Sequence, residues 1–140
     1  ANNETGVIFP IEKISQKVKD RGIVFHTDAV QAVGKIPIDI KETGVDLLSL
    51  SGHKLHAPKG IGVLYIRKGT KFTPFMIGGH QEKGRRGGTE NVASIIGLGK
   101  AAELAKKHMI VLDSCGTSSK PPCWQTYPIR WSTAIPNIAC

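Results

Sequence analysis

The sequence predicts an α/β domain in which short central strands of a sheet are covered by helices. Three short apolar runs support this prediction, and they lie at residues 23–25, 45–50 and 60–66. Each run places apolar side chains on both faces, as in strands that are covered on both sides. Two segments with helical periodicity accompany them. The chain has 140 residues, a length that accommodates one domain at most.

Each predicted helix has recognisable end signals. Residues 11–21 carry apolar side chains at helical spacing, and Gly22 follows as a natural helix C-cap. A longer helix is expected after Thr89, whose hydroxyl can cap it. The apolar side chains expected to line this longer helix are Val92, Ile95, Ile96, Leu98, Ala102 and Ala105.

Polar side chains follow the first two predicted strands, where an open α/β sheet binds its ligands. Asp28 ends an apolar strand and needs a partner, because burying a lone carboxylate is very costly. Lys54 follows the next strand, and a desolvated lysine amine is a nucleophile for aldehydes. An aspartate that pairs with a pyridinium nitrogen and a lysine that forms a Schiff base are the two parts of a pyridoxal phosphate (PLP) site.

Five sequence blocks, in order along the chain, resemble the cysteine desulfurases, which are class V members of the fold-type I PLP enzymes. The blocks are residues 2–6, 26–31, 51–54, 60–62 and 78–91. The resemblance runs from Ala1 to about Met109, and its last block is most similar to the nitrogen-fixation, or NifS, branch. It implies that residues 1–109 are part of a PLP-binding large domain with a mostly parallel sheet and flanking helices.

The resemblance also implies roles around the cofactor ring. Lys54 would hold PLP covalently, and it would be the catalytic group that moves protons at the substrate Cα. Asp28 would keep the pyridine nitrogen protonated, and Gln31 would hydrogen-bond the phenolic oxygen of the ring. Asn3 would contact the ring substituent and the region of the substrate carboxylate.

Further implied roles concern the phosphate and the partners. Ser51, Gly52 and His53 would bind the phosphate of the cofactor. Thr89 would reach the phosphate of the neighbouring subunit, which implies a homodimer with shared sites. The implied reaction converts L-cysteine to L-alanine and leaves a persulfide on an enzyme cysteine. An iron–sulfur scaffold protein would accept that sulfur, for nitrogenase metal clusters in the case of the NifS branch.

Several parts of the family pattern are missing from this sequence. The chain begins at Ala1 without a Met and is interpreted as a piece of a longer protein, whose N-terminal phosphate-binding residues and ring-stacking histidine would precede it. Residues 110–140 have few charges and no sustained periodicity, so we interpret them as an unassigned tail that is non-native or disordered. Cys115 follows the long helix too early to be the catalytic cysteine. We therefore expect this chain to be inactive by itself.

Composition excludes several other classes of protein. The formal net charge is +8, but the basic residues are spread out and the four Phe form no base-stacking platform, so no nucleic acid partner is expected. No apolar run approaches the roughly 18 residues of a membrane span. His53 and His56 lack a third ligand, so no metal is expected. Residues 1–114 contain no cysteine, which is consistent with the reducing cytoplasm.

Two alternative functions remain open at this point. The first is another class V PLP enzyme, such as a selenocysteine lyase, which would use Asp28 and Lys54 in the same way. The second is a non-catalytic module that binds phosphate or nucleic acid through its basic surface. That module predicts binding that weakens steeply with salt, and it leaves the strand-end positions of Asp28 and Lys54 unexplained.

Overall fold

The structure is a computed structural model that describes the backbone of residues 1–116 and the side chains of residues 1–109. Its elements follow in the order α1 (Ile11–Lys19), β1 (His26–Asp28), α2 (Ile40–Thr43), β2 (Leu47–Ser51), a 3₁₀ helix (Gly52–Leu55), β3 (Gly62–Ile66), α3 (Gln81–Gly84) and α4 (Val92–Gly116). The tail proposed for residues 110–140 therefore lies mostly outside the described residues, as do Cys123 and Cys140. Its boundary stays a prediction.

The three strands form one sheet in the order β1-β2-β3. Strands β1 and β2 are parallel, with Asp28 opposite Ser49, whereas β2 and β3 are antiparallel, with Leu47 opposite Ile66. The α/β class is confirmed, and the described part of the sheet is mixed. Strands β1 and β2 end at one edge of the sheet, and β3 ends at the opposite edge.

Two small apolar clusters hold these elements together. The first cluster joins the segment after β1 to the sheet, and it consists of Ala29, Ala32, Val45 and Leu48. The second joins the 3₁₀ helix to α4 through Leu55, Leu98 and Ala101. Helix α4 also lies close to the loop that follows the 3₁₀ helix. A Cβ added at Gly97 would lie 2.9 Å from Pro58 Cδ. The 3₁₀ helix is therefore packed against a long helix on one side.

The first strand differs from its prediction. It was expected to start with the apolar run 23–25 and to end at Asp28, but Ile23 and Val24 are 54% and 55% exposed and lie before the sheet. The amide of Ile23 donates to Val18 O in the turn after α1, and the chain reaches the sheet only at Phe25, whose carbonyl accepts from the amide of Leu47. The predicted end of the strand at Asp28 is confirmed, whereas its predicted start was wrong, because apolar character alone was used to place it.

Both predicted helix ends also need correction. Helix α1 ends at Lys19 with Asp20 as its C-cap, and Gly22 lies in the turn beyond, at a φ of 65°. Thr89 does not cap α4. The side chain of Asn91 does so instead, because its Oδ1 accepts from the amide of Ser94 at 3.2 Å.

The predicted apolar faces are only partly covered within the described chain. In β3, Val63 and Leu64 are both exposed, although this strand was expected to be covered on both faces. In α4, Leu98 is buried as expected, whereas Val92 and Ile96 are exposed. The described residues thus bury one face of α4, against the 3₁₀ helix, and leave the other apolar face in contact with solvent.

Candidate cofactor site

The sheet places the predicted site residues at one edge. Asp28 is the last residue of β1, and Ser51 is the last residue of the parallel neighbour β2. The 3₁₀ helix begins directly after Ser51 and carries Gly52, His53 and Lys54. The structure therefore brings five of the eight predicted site residues to the edge of the sheet where ligands are bound in α/β proteins.

Asp28 is held in a tight turn. Its Oδ1 accepts from the amide of Val30 at 2.8 Å, and the amide of Ala29 donates to Ser49 O at 2.9 Å. The side chain is exposed, which corrects the expectation of a buried carboxylate. Its second oxygen has no hydrogen-bond partner among the described residues and remains available to a ligand.

The turn that carries Lys54 is fixed at both ends. At its start, the amide of Gly52 donates to Ile61 O at 2.8 Å, and Gly52 O accepts from the amide of Ala57 at 3.1 Å. At its end, Leu55 is buried against α4. Lys54 itself is half-buried, and its amine makes no hydrogen bond with any described residue. The structure thus offers an amine that is free to react on a backbone that is held in place.

Gly52 is required at its position because the start of β3 passes close to it. A Cβ on Gly52 would lie 2.6 Å from Ile61 Cγ2 and 2.9 Å from Ile61 O. Any side chain here would push the two segments apart. The residues on either side of this glycine in the sequence form a hydrogen-bonded pair, in which Ser51 Oγ and His53 Nδ1 lie 2.7 Å apart.

Gln31 lies in the turn beyond Asp28 and is half-buried. Its Oε1 accepts from Lys35 Nζ at 2.8 Å. Its amide nitrogen has no partner among the described residues. Lys35 therefore fixes the orientation of the side-chain amide of Gln31. The NH2 group of that amide remains as a donor, which is what a ring oxygen requires.

One contact at this edge escaped the sequence analysis. His26 Nε2 and Ser49 Oγ lie 2.8 Å apart, across β1 and β2. His26 and Asp28 are two residues apart in a strand and share a face, as do Ser49 and Ser51. This period of two was visible in the sequence and could have predicted a polar row that leads to the site.

Asn3 and Thr89 are not joined to this edge by any hydrogen bond. Both are exposed, and neither side chain has a hydrogen-bond partner among the described residues. The N-terminal turn is organised by Asn2 instead, whose Oδ1 accepts from the amides of Glu4 and Thr5 at 2.9 Å each. The roles suggested for Asn3 and Thr89 stay predictions.

The described chain forms one wall of a site and does not enclose it. A cavity of about 430 Å³ is lined by basic side chains that include Arg67, Lys83 and Arg85, and it lies at the edge where β3 ends, away from Lys54. A smaller cavity of about 90 Å³ reaches Asp28. Lys54 lines neither cavity.

No cluster of three or more His, Cys, Asp or Glu side chains within the described residues could hold a metal ion. None of the helices in this part of the chain is both long enough and apolar enough to cross a membrane.

Comparison with known proteins identifies the family. The sequence model for class V aminotransferases matches residues 1–113. The chain belongs to the class V aminotransferase family. Enzymes of this family depend on PLP, and the resemblance drawn from the five motif blocks is confirmed.

Relatives of this chain within the class V family are named cysteine desulfurases, the group that the motif blocks resemble. The chain is 66% identical over 109 residues to "Cysteine desulfurase 2" of Trichormus variabilis, and 67% identical over 109 residues to "Cysteine desulfurase NifS" of Azotobacter vinelandii. Each match covers 78% of this chain and 27% of the relative. The chain therefore spans about a quarter of the length of these curated relatives.

Solved structures in the class V family share the fold. A NifS-like protein from Rickettsia africae matches with a TM-score of 0.75 and 43% identity, over 78% of this chain and 30% of that one. A structure described as SspA in complex with cysteine matches with a TM-score of 0.71 and 48% identity, over 74% and 30% of the two chains. The fold-type I assignment is thereby confirmed.

Proposed function

We propose that the whole protein to which this chain corresponds is a PLP-dependent cysteine desulfurase. It removes sulfur from L-cysteine, releases L-alanine and leaves a persulfide on an enzyme cysteine. Relatives that carry this name are 66% and 67% identical to the chain over 109 residues. The observation that carries the proposal is the common edge at which Asp28 and the Lys54 turn follow two parallel strands.

The donor set at this edge fits the cofactor. Asp28 has a free carboxylate oxygen for a protonated ring nitrogen, Gln31 has a free amide donor for the ring oxygen, and Lys54 has a free amine for the aldehyde carbon. When PLP is bound, its ring supplies an electron sink for the chemistry at the substrate Cα. Asp28 would keep the ring nitrogen protonated, because a carboxylate close to a protonated nitrogen favours its charged form.

Lys54 is the residue that would hold the cofactor and would then move a proton at the Cα of the bound cysteine. A general acid–base group must be held within hydrogen-bond reach of the proton that it transfers. The turn supplies that constraint, because the amide of Gly52 is bonded to Ile61 O and Leu55 is packed against α4. These contacts hold the backbone of Lys54 and leave its side chain without a hydrogen bond to any described residue.

The turn offers groups that would hold the phosphate of the cofactor. Ser51 and His53 supply hydrogen-bonding groups, and Gly52 lets the backbone approach. Thr89 contributes to the phosphate site of a second subunit, so the active enzyme is a homodimer with shared sites. Asn3 would contact the ring substituent and the region of the substrate carboxylate.

Other parts of the function lie beyond the described chain. The persulfide forms on a cysteine outside residues 1–109, because this stretch contains none. An iron–sulfur scaffold protein accepts the sulfur, and the transfer takes place in the cytoplasm. The name NifS of one relative supports nitrogenase clusters as the final destination of the sulfur. This 140-residue chain alone does not turn over cysteine.

A chimera tests the proposal. Residues 1–109 replace the matching segment of the Azotobacter vinelandii relative, which gives a full-length enzyme. We expect it to release alanine from L-cysteine and to accumulate persulfide. Lys54→Ala should abolish both, while Lys59→Ala, at an exposed lysine in the next turn, should change neither.

Two outcomes would contradict the proposal. One is alanine release that persists in the Lys54→Ala chimera. The other is release from L-selenocysteine but not from L-cysteine, which would instead indicate a selenocysteine lyase.

A further inference from the structure

We propose that Asp46 and Arg67 are positioning residues for the cofactor site, although they lie at the opposite end of the sheet. Asp46 immediately precedes β2, and Arg67 immediately follows β3. The register pairs Leu47 with Ile66, so the two residues are neighbours where the antiparallel strands meet. We call them the Asp46–Arg67 pair. The inference rests on the proposed function, because it concerns the same site.

Arg67 bonds several segments through one planar side chain. Its Nε donates to Val45 O at 2.9 Å, and its Nη2 donates to Ile40 O at 3.0 Å. Its backbone amide donates to Asp46 O at 2.8 Å, and its Nε lies 3.6 Å from Asp46 Oδ1. The end of β3 is therefore fixed to α2 and to the start of β2. A lysine could not reproduce this set, because it lacks the fixed fork of donors.

Asp46 connects this arrangement to β1. Its Oδ2 accepts from the amide of Phe25 at 2.9 Å, and its own amide donates to Phe25 O at 2.9 Å. The carbonyl of Phe25 accepts a further bond from the amide of Leu47 at 3.1 Å. Both backbone groups of the residue before β1 are thus bonded at the start of β2, and a carboxylate supplies one of the partners.

This anchoring matters because β1 has only three residues. A strand that short has few ladder bonds to resist a shift, and a slip of one residue would turn Asp28 to the other face of the sheet. Asp28 lies three residues beyond Phe25, about 10 Å along an extended chain. Beyond Asp28, the bond from the amide of Ala29 to Ser49 O holds the far end.

The same pair also determines where Lys54 lies relative to Asp28. Strand β2 begins one residue after Asp46 and ends at Ser51, three residues before Lys54. The Asp46–Arg67 pair therefore anchors the strands that carry both functional groups. Strand β1 leads from it to Asp28, and strand β2 leads from it to Lys54. The side chains of Arg67 and Asp46 are only 30% and 18% exposed, so solvent screens this contact less than it would a surface ion pair.

The test uses the full-length chimera and its affinity for PLP. We expect Asp46→Ala to raise the Kd for PLP on the order of tenfold, as for the loss of one charge-assisted hydrogen bond. It should also shift the visible absorption band, because Asp28 no longer meets the ring nitrogen in the same geometry. Asp46→Asn keeps an oxygen that can accept from the amide of Phe25, and should restore most of both properties.

Asp39→Ala is the matched control. The Asp39 carboxylate accepts from the amides of Lys41 and Glu42 at the start of α2, and it makes no bond to a strand. This variant should leave the Kd and the absorption band unchanged. Equal effects of Asp39→Ala and Asp46→Ala would overturn the inference, since they would indicate general loss of stability.

Two further outcomes separate the inference from the proposed function. If the unsubstituted chimera binds PLP and Asp46→Ala binds it equally well, with the same spectrum, the positioning role is wrong and the proposed function stands. If the unsubstituted chimera binds no PLP at all, the proposed function fails, and the positioning role that depends on it fails as well. Faster amide exchange at residues 25–29 in Asp46→Ala is the expected structural readout.

Discussion

Substitution of Gly52 by alanine tests how closely the Lys54 turn depends on its packing against the start of β3. The new methyl would lie 2.6 Å from Ile61 Cγ2 and 2.9 Å from Ile61 O. Ordinary carbon–carbon contact is about 3.5 Å, so the two segments must separate by roughly 0.9 Å. Overpacking of this kind costs about 1–3 kcal/mol of the free energy of unfolding. The separation would also weaken the bond from the amide of Gly52 to Ile61 O.

The effect should reach catalysis, because Lys54 is two residues from the altered position. A misplacement near 1 Å can lower a rate on the order of 100-fold. We would measure denaturant unfolding and alanine formation for the full-length chimera carrying Gly52→Ala, Ile61→Ala or both substitutions. The double variant should recover part of the loss only, since the carbonyl of Ile61 stays in place. Unchanged stability and rate in Gly52→Ala would refute this account of the turn.

Three further predictions concern α4 and its contacts. Leu55→Ala should lower the free energy of unfolding by about 2–5 kcal/mol, measured by denaturant titration, because Leu55 is buried against this helix; a smaller loss would mean that the contact is not maintained. Asn91→Ala should lower the free energy of unfolding by about 0.5–2 kcal/mol, because it removes a helix cap. Thr89→Ala should leave helical circular dichroism and thermal stability unchanged. A loss of stability in Thr89→Ala but not in Asn91→Ala would restore Thr89 as the cap. Hydrogen bonds from Lys107, and to a smaller extent from Lys100, lower the pKa of Glu103. The stabilising contribution of Glu103 is therefore complete above the ordinary carboxyl pKa and is lost as the pH falls through the lowered value. Glu103→Gln should therefore reduce the change in melting temperature between neutral and acidic pH, and an identical pH profile would contradict this.

The sequence predicted site residues at Asp28 and Lys54 because the signals it used are chemical and local. Asp28 and Lys54 were identified as polar residues that follow apolar runs, and the parallel pairing of β1 and β2 puts both at one edge of the sheet. That pairing depends on contacts between distant residues. No single stretch of sequence contains the register that sets Asp28 opposite Ser49.

The elements were predicted less accurately where apolar composition was the only guide. Residues 23 and 24 are apolar but exposed, because the turn after α1 holds them before the sheet begins. The choice between Thr89 and Asn91 as a cap also needed coordinates, because both are good capping residues. The Asp46–Arg67 pair has no local signal either, since its two residues come together only when β3 folds back on β2.

The most direct test of the central claim is to determine whether Lys54 carries the cofactor. The full-length chimera would be incubated with PLP, reduced with borohydride, digested and mapped by mass. The account predicts a pyridoxyl adduct on the peptide that contains Lys54 and none on the peptide that contains Lys59. An unmodified Lys54, or an adduct on another lysine, would contradict it.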